Sequence, residues 1–395
     1  MRSFFFSSRM LLKKSIPLHL VSGVTFGLIM LKTVLPWILY FVAAEVVLTL
    51  LQFALGKHRL KPAVRICVIL LKAFAAVVIA YLVMAGPVFL RPVHFPLTAI
   101  YAVLLPDAAA DLVVTVDCLI RKKERSFVGE KLLSLVLGVA FFIYGTVNMQ
   151  IVSPNYHTFS STKLTQEHKL VFVSDMHVGG SQSLEVTRRT IEGIRSEQPD
   201  FVILGGDITD DYTTREELEE TYRLFGALGV PVYYIDGNHE VVQHAEYVRG
   251  GLNYTLQDLM DILDRNGITI LRDTYVDISP DLILLGREDA AMKDPLPGPV
   301  KPNPEPEKFL LVADHQPTRM KESQALGADL QLSGHSHAGQ LFPLNLVYIP
   351  FTPVQGEYKY EGTILFVSPG ASGWGFPFRT TSRCRYEVIT LKPER

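Results

Sequence analysis

The stretch Leu170-Val171-Phe172-Val173-Ser174-Asp175-Met176-His177 governs the reading of the C-terminal part of the chain. It begins as an apolar β-rich run and ends in two side chains able to hold a cation. The same arrangement recurs downstream. Phe201 to Leu204 leads into Gly205-Gly206-Asp207, and Val232 to Ile235 leads into Gly237-Asn238-His239-Glu240. Phe309 to Val312 precedes Ala313-Asp314-His315, and Gly334-His335-Ser336-His337 follows. Strand ends are where an open α/β sheet exposes side chains to a crevice. In Asp-x-His and His-x-His the two groups occupy alternate positions of an extended segment, so both can point the same way.

Between the early runs lie helical stripes, one of Leu184, Thr187, Ile191 and Ile194, another of Leu218, Tyr222, Phe225 and Leu228. Strand and helix in alternation predict a layered α/β domain with parallel pairing. Leu282 to Leu285 and Ile364 to Val367 are further strand-like runs with shorter connections, which predicts a partly antiparallel sheet. Asp294 to Pro306 is rich in proline and reads as a loop.

Carboxylates, imidazoles and one amide oxygen suit borderline divalent ions such as manganese, iron or zinc, with manganese favoured, rather than a soft thiolate site. These residues exceed what one ion needs. Two ions about 3.5–4 Å apart, sharing one carboxylate, use them well. Each motif alone is weak, because Asp and Asn also serve as turn residues and helix caps. Their joint occurrence, each block beside an apolar β-run, points to one shared metal site.

With these five blocks in this order, the chain from about His168 to Thr390 resembles the calcineurin-like metallophosphoesterase family. The similarity is greatest to membrane-associated, bacterial-type members that carry Gly-His-Ser-His-Ala-Gly-Gln, here Gly334 to Gln340, among them lipid-related phosphodiesterases. The resemblance implies two facing mixed sheets flanked by helices. It implies that Asp175, His177, Asp207 and His337 hold one metal, and that Asp207, Asn238, His315 and His335 hold the other, with Asp207 bridging. It gives His239 the part of a histidine that is not a ligand but aids phosphate binding and protonates the leaving group. One departure stands at Asp314, where serine more often precedes the histidine. A carboxylate there is expected to alter the polar surroundings of His315.

The rest of the chain has a different character. Of 395 residues, 48% are hydrophobic, and the mean hydropathy of +0.22 is high for a purely soluble protein. The excess sits in roughly the first 150 residues. Apolar runs there predict five membrane spans of about 20 residues each. Two lie between Ile16 and Gly56, and the others cover Val64 to Ala85, Phe95 to Ile120 and Leu132 to Val152. The expected division is therefore an all-α transmembrane bundle over 1–152 and the metal-binding domain over 153–395. Lys and Arg concentrate before the first span, between the second and third, and between the fourth and fifth. The positive-inside rule then puts the N-terminus in the cytoplasm and, with five spans, the domain on the outer face of the cell membrane. Glu45, Lys72 and Asp111 fall at similar depths, about 12–15 Å from the inner ends at about 1.5 Å per residue, and are expected to form an ion-paired cluster.

A net charge of −2 excludes the broad basic field that nucleic-acid binding uses, so no nucleic acid is expected as a partner. Three cysteines, Cys67, Cys118 and Cys384, exclude a disulfide framework in the soluble part. The function these observations favour is two-metal hydrolysis of a phosphoester in a membrane lipid or envelope component. A phosphodiesterase for a soluble nucleotide or small diester, merely anchored by its spans, is the first alternative. A transporter or sensor regulated by the metal domain is the second.

Overall fold

The structure is a computed structural model that describes residues 39–52, 62–85, 94–122, 126–243, 251–292, 300–375 and 377–394. Its C-terminal part is built from two six-stranded sheets. In the first, β2 (His168–Val173), β3 (Phe201–Gly205), β4 (Val232–Ile235) and β5 (Thr269–Ile270) run parallel, and β12 (Cys384–Pro393) lies antiparallel to β2. β1 (Val152–Ser161) closes this sheet alongside β12. In the second, β7 (Leu282–Gly286), β8 (Phe309–Ala313), β9 (Leu330–Ser333) and β11 (Thr363–Val367) are parallel. The edge strands β6 (Thr274–Ser279) and β10 (Gly356–Tyr360) are antiparallel.

The inner strands are apolar throughout because both of their faces are covered. Phe172, Ile203 and Ile235 of the first sheet meet Leu284, Leu311 and Leu332 of the second in one buried cluster between the sheets. The single turn α7 (Asn238–Val241) follows β4 and the short α9 (Met320–Ala325) follows β8, while the other face of the first sheet is covered by α5 (Leu184–Ser196), α6 (Arg215–Gly226) and α8 (Leu256–Arg265). Both expected helical stripes lie in this layer, although Leu228 stands just beyond the end of α6. Caps set the starts of these helices. Thr214 and Thr255 accept from the backbone N–H of Glu217 and Asp258, whose carboxylates return the bond.

The six runs named from the sequence are all strands, whereas β1, β5, β6, β9, β10 and β12 were not anticipated. Part of the expected loop, 293–299, lies outside the described residues, and 300–306 contains neither helix nor strand.

The N-terminal part is helical. α1 (Leu39–Gln52) is followed by α2 (Pro62–Ala85), α3 (His94–Arg121) and α4 (Phe127–Asn148). α2 and α4 are long and apolar enough to cross a membrane. α3 is as long but carries Asp107, Asp111 and Asp117. The first expected span lies outside the described residues, and the second is described only over α1. Lys72 pairs with Asp107 and lies 2.6 Å from Asp111 Oδ2, while Lys131 Nζ lies 2.5 Å from Asp107 Oδ1. Gln52 and Ser134 also donate to Asp107. The ion cluster is thus centred on Asp107, one helical turn before Asp111 on the same face of α3. Glu45 is buried beside it, against Gly138.

The helices and the sheets pack together directly. Phe378 enters the helical bundle, and its ring covers Gly145 so closely that a Cβ there would stand 2.6 Å from it. Arg379 N–H donates to Gly145 O at 3.0 Å. Asn148 donates to Ser382 O at 2.8 Å, and Tyr101 Oη donates to Phe342 O.

Candidate metal centre

Strand register brings the chemical residues together. β2, β3 and β4 end side by side, so Asp175 N–H donates to Gly206 O at 3.0 Å and His177 N–H to Asp207 O at 3.1 Å. In the second sheet, Gly334 N–H donates to His315 O at 2.9 Å. The two sheets meet where His335 N–H donates to Asp175 Oδ1 at 2.9 Å. Every motif therefore leaves the carboxyl end of a parallel strand and turns into one crevice.

The turns are tight. Asp175, His177, Asp207, His335 and His337 all have positive φ, between 46° and 71°. Non-glycine residues adopt this region at a cost and persist there where the surroundings hold them. Gly206 also has positive φ, 84°, and a Cβ there would stand 2.7 Å from His315 Nδ1 and 2.8 Å from Gly237 Cα.

Two groups of metal-capable atoms result, Asp175 with His177 and His337, and Asp207 with His315 and His335. Asn238, the seventh expected residue, presents Oδ1 2.8 Å from His335 Nδ1. Asp207 stands between the groups, its Oδ2 3.1 Å from His315 Nε2 and 3.8 Å from His177 Nε2. His315 Nδ1 contacts Gly205 O at 2.8 Å and His337 Nδ1 contacts Ser372 O at 3.2 Å. A proton held at each Nδ1 leaves Nε2 with its lone pair facing inward.

The donor set fits divalent cations. Nε2 of His177 and Nε2 of His315 are buried and make no well-aligned hydrogen bond, a costly state unless a cation takes the lone pair of each. Burial holds His335 below its ordinary pKa and pushes His337 down to about 3, which favours the neutral imidazoles that metals bind, whereas for His315 burial is outweighed by the adjacent Asp207 carboxylate, which raises the pKa. Burial would raise Asp207, but His315, His239 and His177 outweigh it and keep the carboxyl well below the usual range.

His239 sits at the edge of this arrangement. Its Nδ1 lies 3.9 Å from Asp211 Oδ2, and its ring is 5.4 Å from the indole of Trp374. Burial opposes a charge on His239, but Asp207, Asp211 and Asp210 together raise its pKa. His177 Nδ1 lies 3.4 Å from Asp210 Oδ2. Glu240 accepts backbone N–H bonds from Asp207, Thr209 and Gly237, locking the turns that carry Asp207 and Asn238.

Asp210 and Asp211 were not singled out in the sequence, although they follow Asp207 closely and extend its acidic block. Asp314 turns away to Arg319, 2.7 Å from Oδ1, so its charge is balanced behind His315.

Residues 168–339 match the family model for the calcineurin-like phosphoesterase. The chain carries a calcineurin-like metallophosphoesterase domain. A Helicobacter pylori protein called an uncharacterized metallophosphoesterase is 30% identical over 251 residues, covering 59% of this chain and 62% of its own. The chain thus spans less than two thirds of that relative's length. A zebrafish transmembrane protein with metallophosphoesterase domain is 26% identical over 293 residues, covering 67% of this chain and 63% of its own. A crystal structure of a zebrafish dimetal phosphatase superposes with a TM-score of 0.34 at 11% identity, over 51% of this chain and 87% of that one.

A cleft of about 410 Å³ opens over the metallophosphoesterase centre. Asp207, His239, His335 and His337 line it, with Trp374 beside them. Met84, from the last turn of α2, lines it as well.

Proposed function

We propose that the chain hydrolyses a phosphoester with two divalent cations, and that the ester belongs to a lipid or another membrane-envelope component. The position of Met84 carries the second half of this reading. A membrane-length helix contributes to the wall of the cleft that is lined by His239 and by members of both ligand groups, His337 of one and Asp207 and His335 of the other. An anchor for a soluble-substrate enzyme has no need to reach the reacting centre.

When bound, the two cations supply charge neutralisation at the phosphoester and activation of the attacking water. Asp175, His177, Asp207 and His337 hold one, and Asp207, Asn238, His315 and His335 hold the other. His239 gives a proton to the leaving oxygen, and Asp211 stabilises the positive charge this requires. Manganese suits the mixture of carboxylate, amide and imidazole donors. Residues 153–395 form the hydrolase and 1–152 the membrane module. The alternation of basic loops supports an outward-facing domain. The charges about Asp107 are paired with one another, which favours a strut among α2, α3 and α4 over a transport path.

The test uses the full chain in nanodiscs with manganese. Hydrolysis of nanodisc phospholipids, scored by headgroup release, is compared with hydrolysis of a soluble nucleotide diester. A higher kcat/KM for the lipid, abolished by chelation, is the expected result. Hydrolysis confined to the soluble diester would make the anchored nucleotide enzyme the correct reading. No metal-dependent hydrolysis of either would end the proposal.

A further inference from the structure

Between the His335–His337 motif and β10, the chain makes an excursion, Leu341 to Val354, that contains no charged residue. Its middle is the short helix α10 (Leu344–Tyr348). One side is buried. Leu341 and Leu344 are enclosed in the cluster that contains Ala80 and Val83 of α2 and Tyr101 of α3, and Tyr348 packs against it. The other side is bare. Leu346 is 56% exposed, Ile349 51% and Phe351 85%. A soluble surface rarely gathers large apolar side chains this closely without a partner.

The position of the excursion says which partner. Tyr101 Oη holds Phe342 O, tying the segment to the start of α3, and Tyr348 stands near Tyr81 in the last turns of α2. Tyr81 and Val78 are themselves exposed on α2, a helix of membrane-spanning length. The excursion therefore stands beside the exposed apolar residues in the last turns of α2. A segment of this kind, apolar on the outside and fixed at the head of membrane helices, belongs in the headgroup and acyl boundary.

The inner side of the same excursion is cleft wall. Tyr348, Thr352, Pro353 and Val354 line it opposite Trp374, with Met84 at the helix end. Ser336 Oγ donates to Val354 O, which joins the segment to the ligand turn itself. We infer that the Leu341–Val354 excursion lies embedded in the membrane interface and forms the doorway by which a phospholipid-like ester reaches the metals with its acyl part still in the bilayer. This inference rests on the reading of the centre as a phosphoester hydrolase. The phosphoester of such a substrate lies at headgroup depth, so the doorway and the reacting group meet at one level.

The test uses the full chain in nanodiscs of phosphatidylcholine and phosphatidylglycerol. Phe351→Cys, in a Cys67→Ser, Cys118→Ser background, is labelled with an environment-sensitive fluorophore. Nitroxide on lipid acyl chains should quench it, and aqueous iodide should not. Quenching by iodide alone overturns the inference. So does protection from both quenchers, because it places on this face a second copy, if the protection depends on protein concentration, or another segment of the same chain, if it does not.

A second measurement reads the doorway. Leu346→Asn, Ile349→Asn and Phe351→Asn, combined, alter only exposed side chains. Hydrolysis of a phosphatidyl nitrophenyl ester in vesicles should fall by about tenfold or more as the interfacial apolar area is lost. Hydrolysis of soluble bis-nitrophenyl phosphate, with the same leaving group, should stay within about twofold. Equal rates on the lipid ester overturn the doorway while leaving the two-metal reading intact. If the parent protein hydrolyses neither ester, the hydrolase reading fails, and the fluorescence result still decides where the excursion lies.

Discussion

His239 Nδ1 lies 3.9 Å from Asp211 Oδ2, within ion-pair distance, while its backbone N–H donates to Asp207 Oδ1 at 2.9 Å. One carboxylate faces the imidazole and another holds its backbone. A histidine mounted in this way can carry charge at a fixed place without serving as a ligand.

Replacing His239 by Ala is expected to lower turnover by about 10²–10⁴-fold, the usual contribution of a general acid. Metal content should stay near normal. The loss should shrink for nitrophenyl esters, whose leaving group needs no proton. Asp211→Asn should show the same dependence on leaving group with a smaller loss. Equal losses for good and poor leaving groups would instead assign His239 to positioning.

Chelation is expected to remove activity, and manganese to restore it, with two ions bound per chain by elemental analysis. Among single changes, Asp207→Ala should cost most, because Asp207 stands between the two groups. Full activity in metal-free protein would end the two-metal reading.

The sidedness of the domain can be read with an impermeant maleimide on intact cells. Cys384 is unsuited, being buried with Sγ 3.9 Å from Met149 Sδ. Lys301→Cys, at an exposed position, in a Cys67→Ser, Cys118→Ser background, should label from outside. Labelling only after lysis would place the domain in the cytoplasm and remove one of the five expected spans.

Asp281 provides a pH test of stability. Burial would raise its pKa, but Ser279, Thr165 and His168 hydrogen-bond to the carboxylate and hold it below the ordinary value. A depressed carboxyl stabilises the fold above its unfolded pKa of about 3.9, and that contribution is lost as pH falls toward the folded value. Asp281→Asn should therefore lower the melting temperature at neutral pH. The gap to the parent should narrow as the pH is lowered below about 4. A gap that widens in acid would contradict this account.

Gly145→Leu should drive Phe378 from its seat in the bundle. Overpacking of this kind costs typically about 1–3 kcal/mol. Because Arg379, next to Phe378, donates to Ser372 O at 2.6 Å, and Ser372 O contacts His337, metal affinity should fall together with stability. Unchanged metal affinity would show that the two parts are energetically independent.

Four of the five strands that carry chemistry, β2, β3, β4 and β8, were legible because each is an uninterrupted apolar run ending in a metal-capable cluster; the fifth, β9, was not. β12 was missed because it alternates, as in Tyr386-Glu387-Val388, and bears no site residue. β9 is short and includes Gln331, whose amide is buried. That Asp175, His177, Asp207, His315, His335 and His337 share one site was legible from residue type and order, whereas their division into two groups was implied only by the family resemblance. The positive φ values were not, because they follow from strand ends meeting across two sheets. Nor was Met84, an apolar residue in an apolar helix. Only the packing of α2 against α10 brings it to the cleft.

The fastening of Phe378, Arg379 and Ser382 to α4 also bears on how this protein finds its substrate. A domain on a slack tether samples a volume, and its encounters depend on concentration in the surrounding fluid. A domain seated on its helices works at one height. For the lipid ester proposed above, its search would be confined to a plane, where the governing quantity is the mole fraction of the target in the leaflet. Diluting the membranes in more buffer should leave the rate per chain unchanged, whereas diluting the target with inert lipid should lower it.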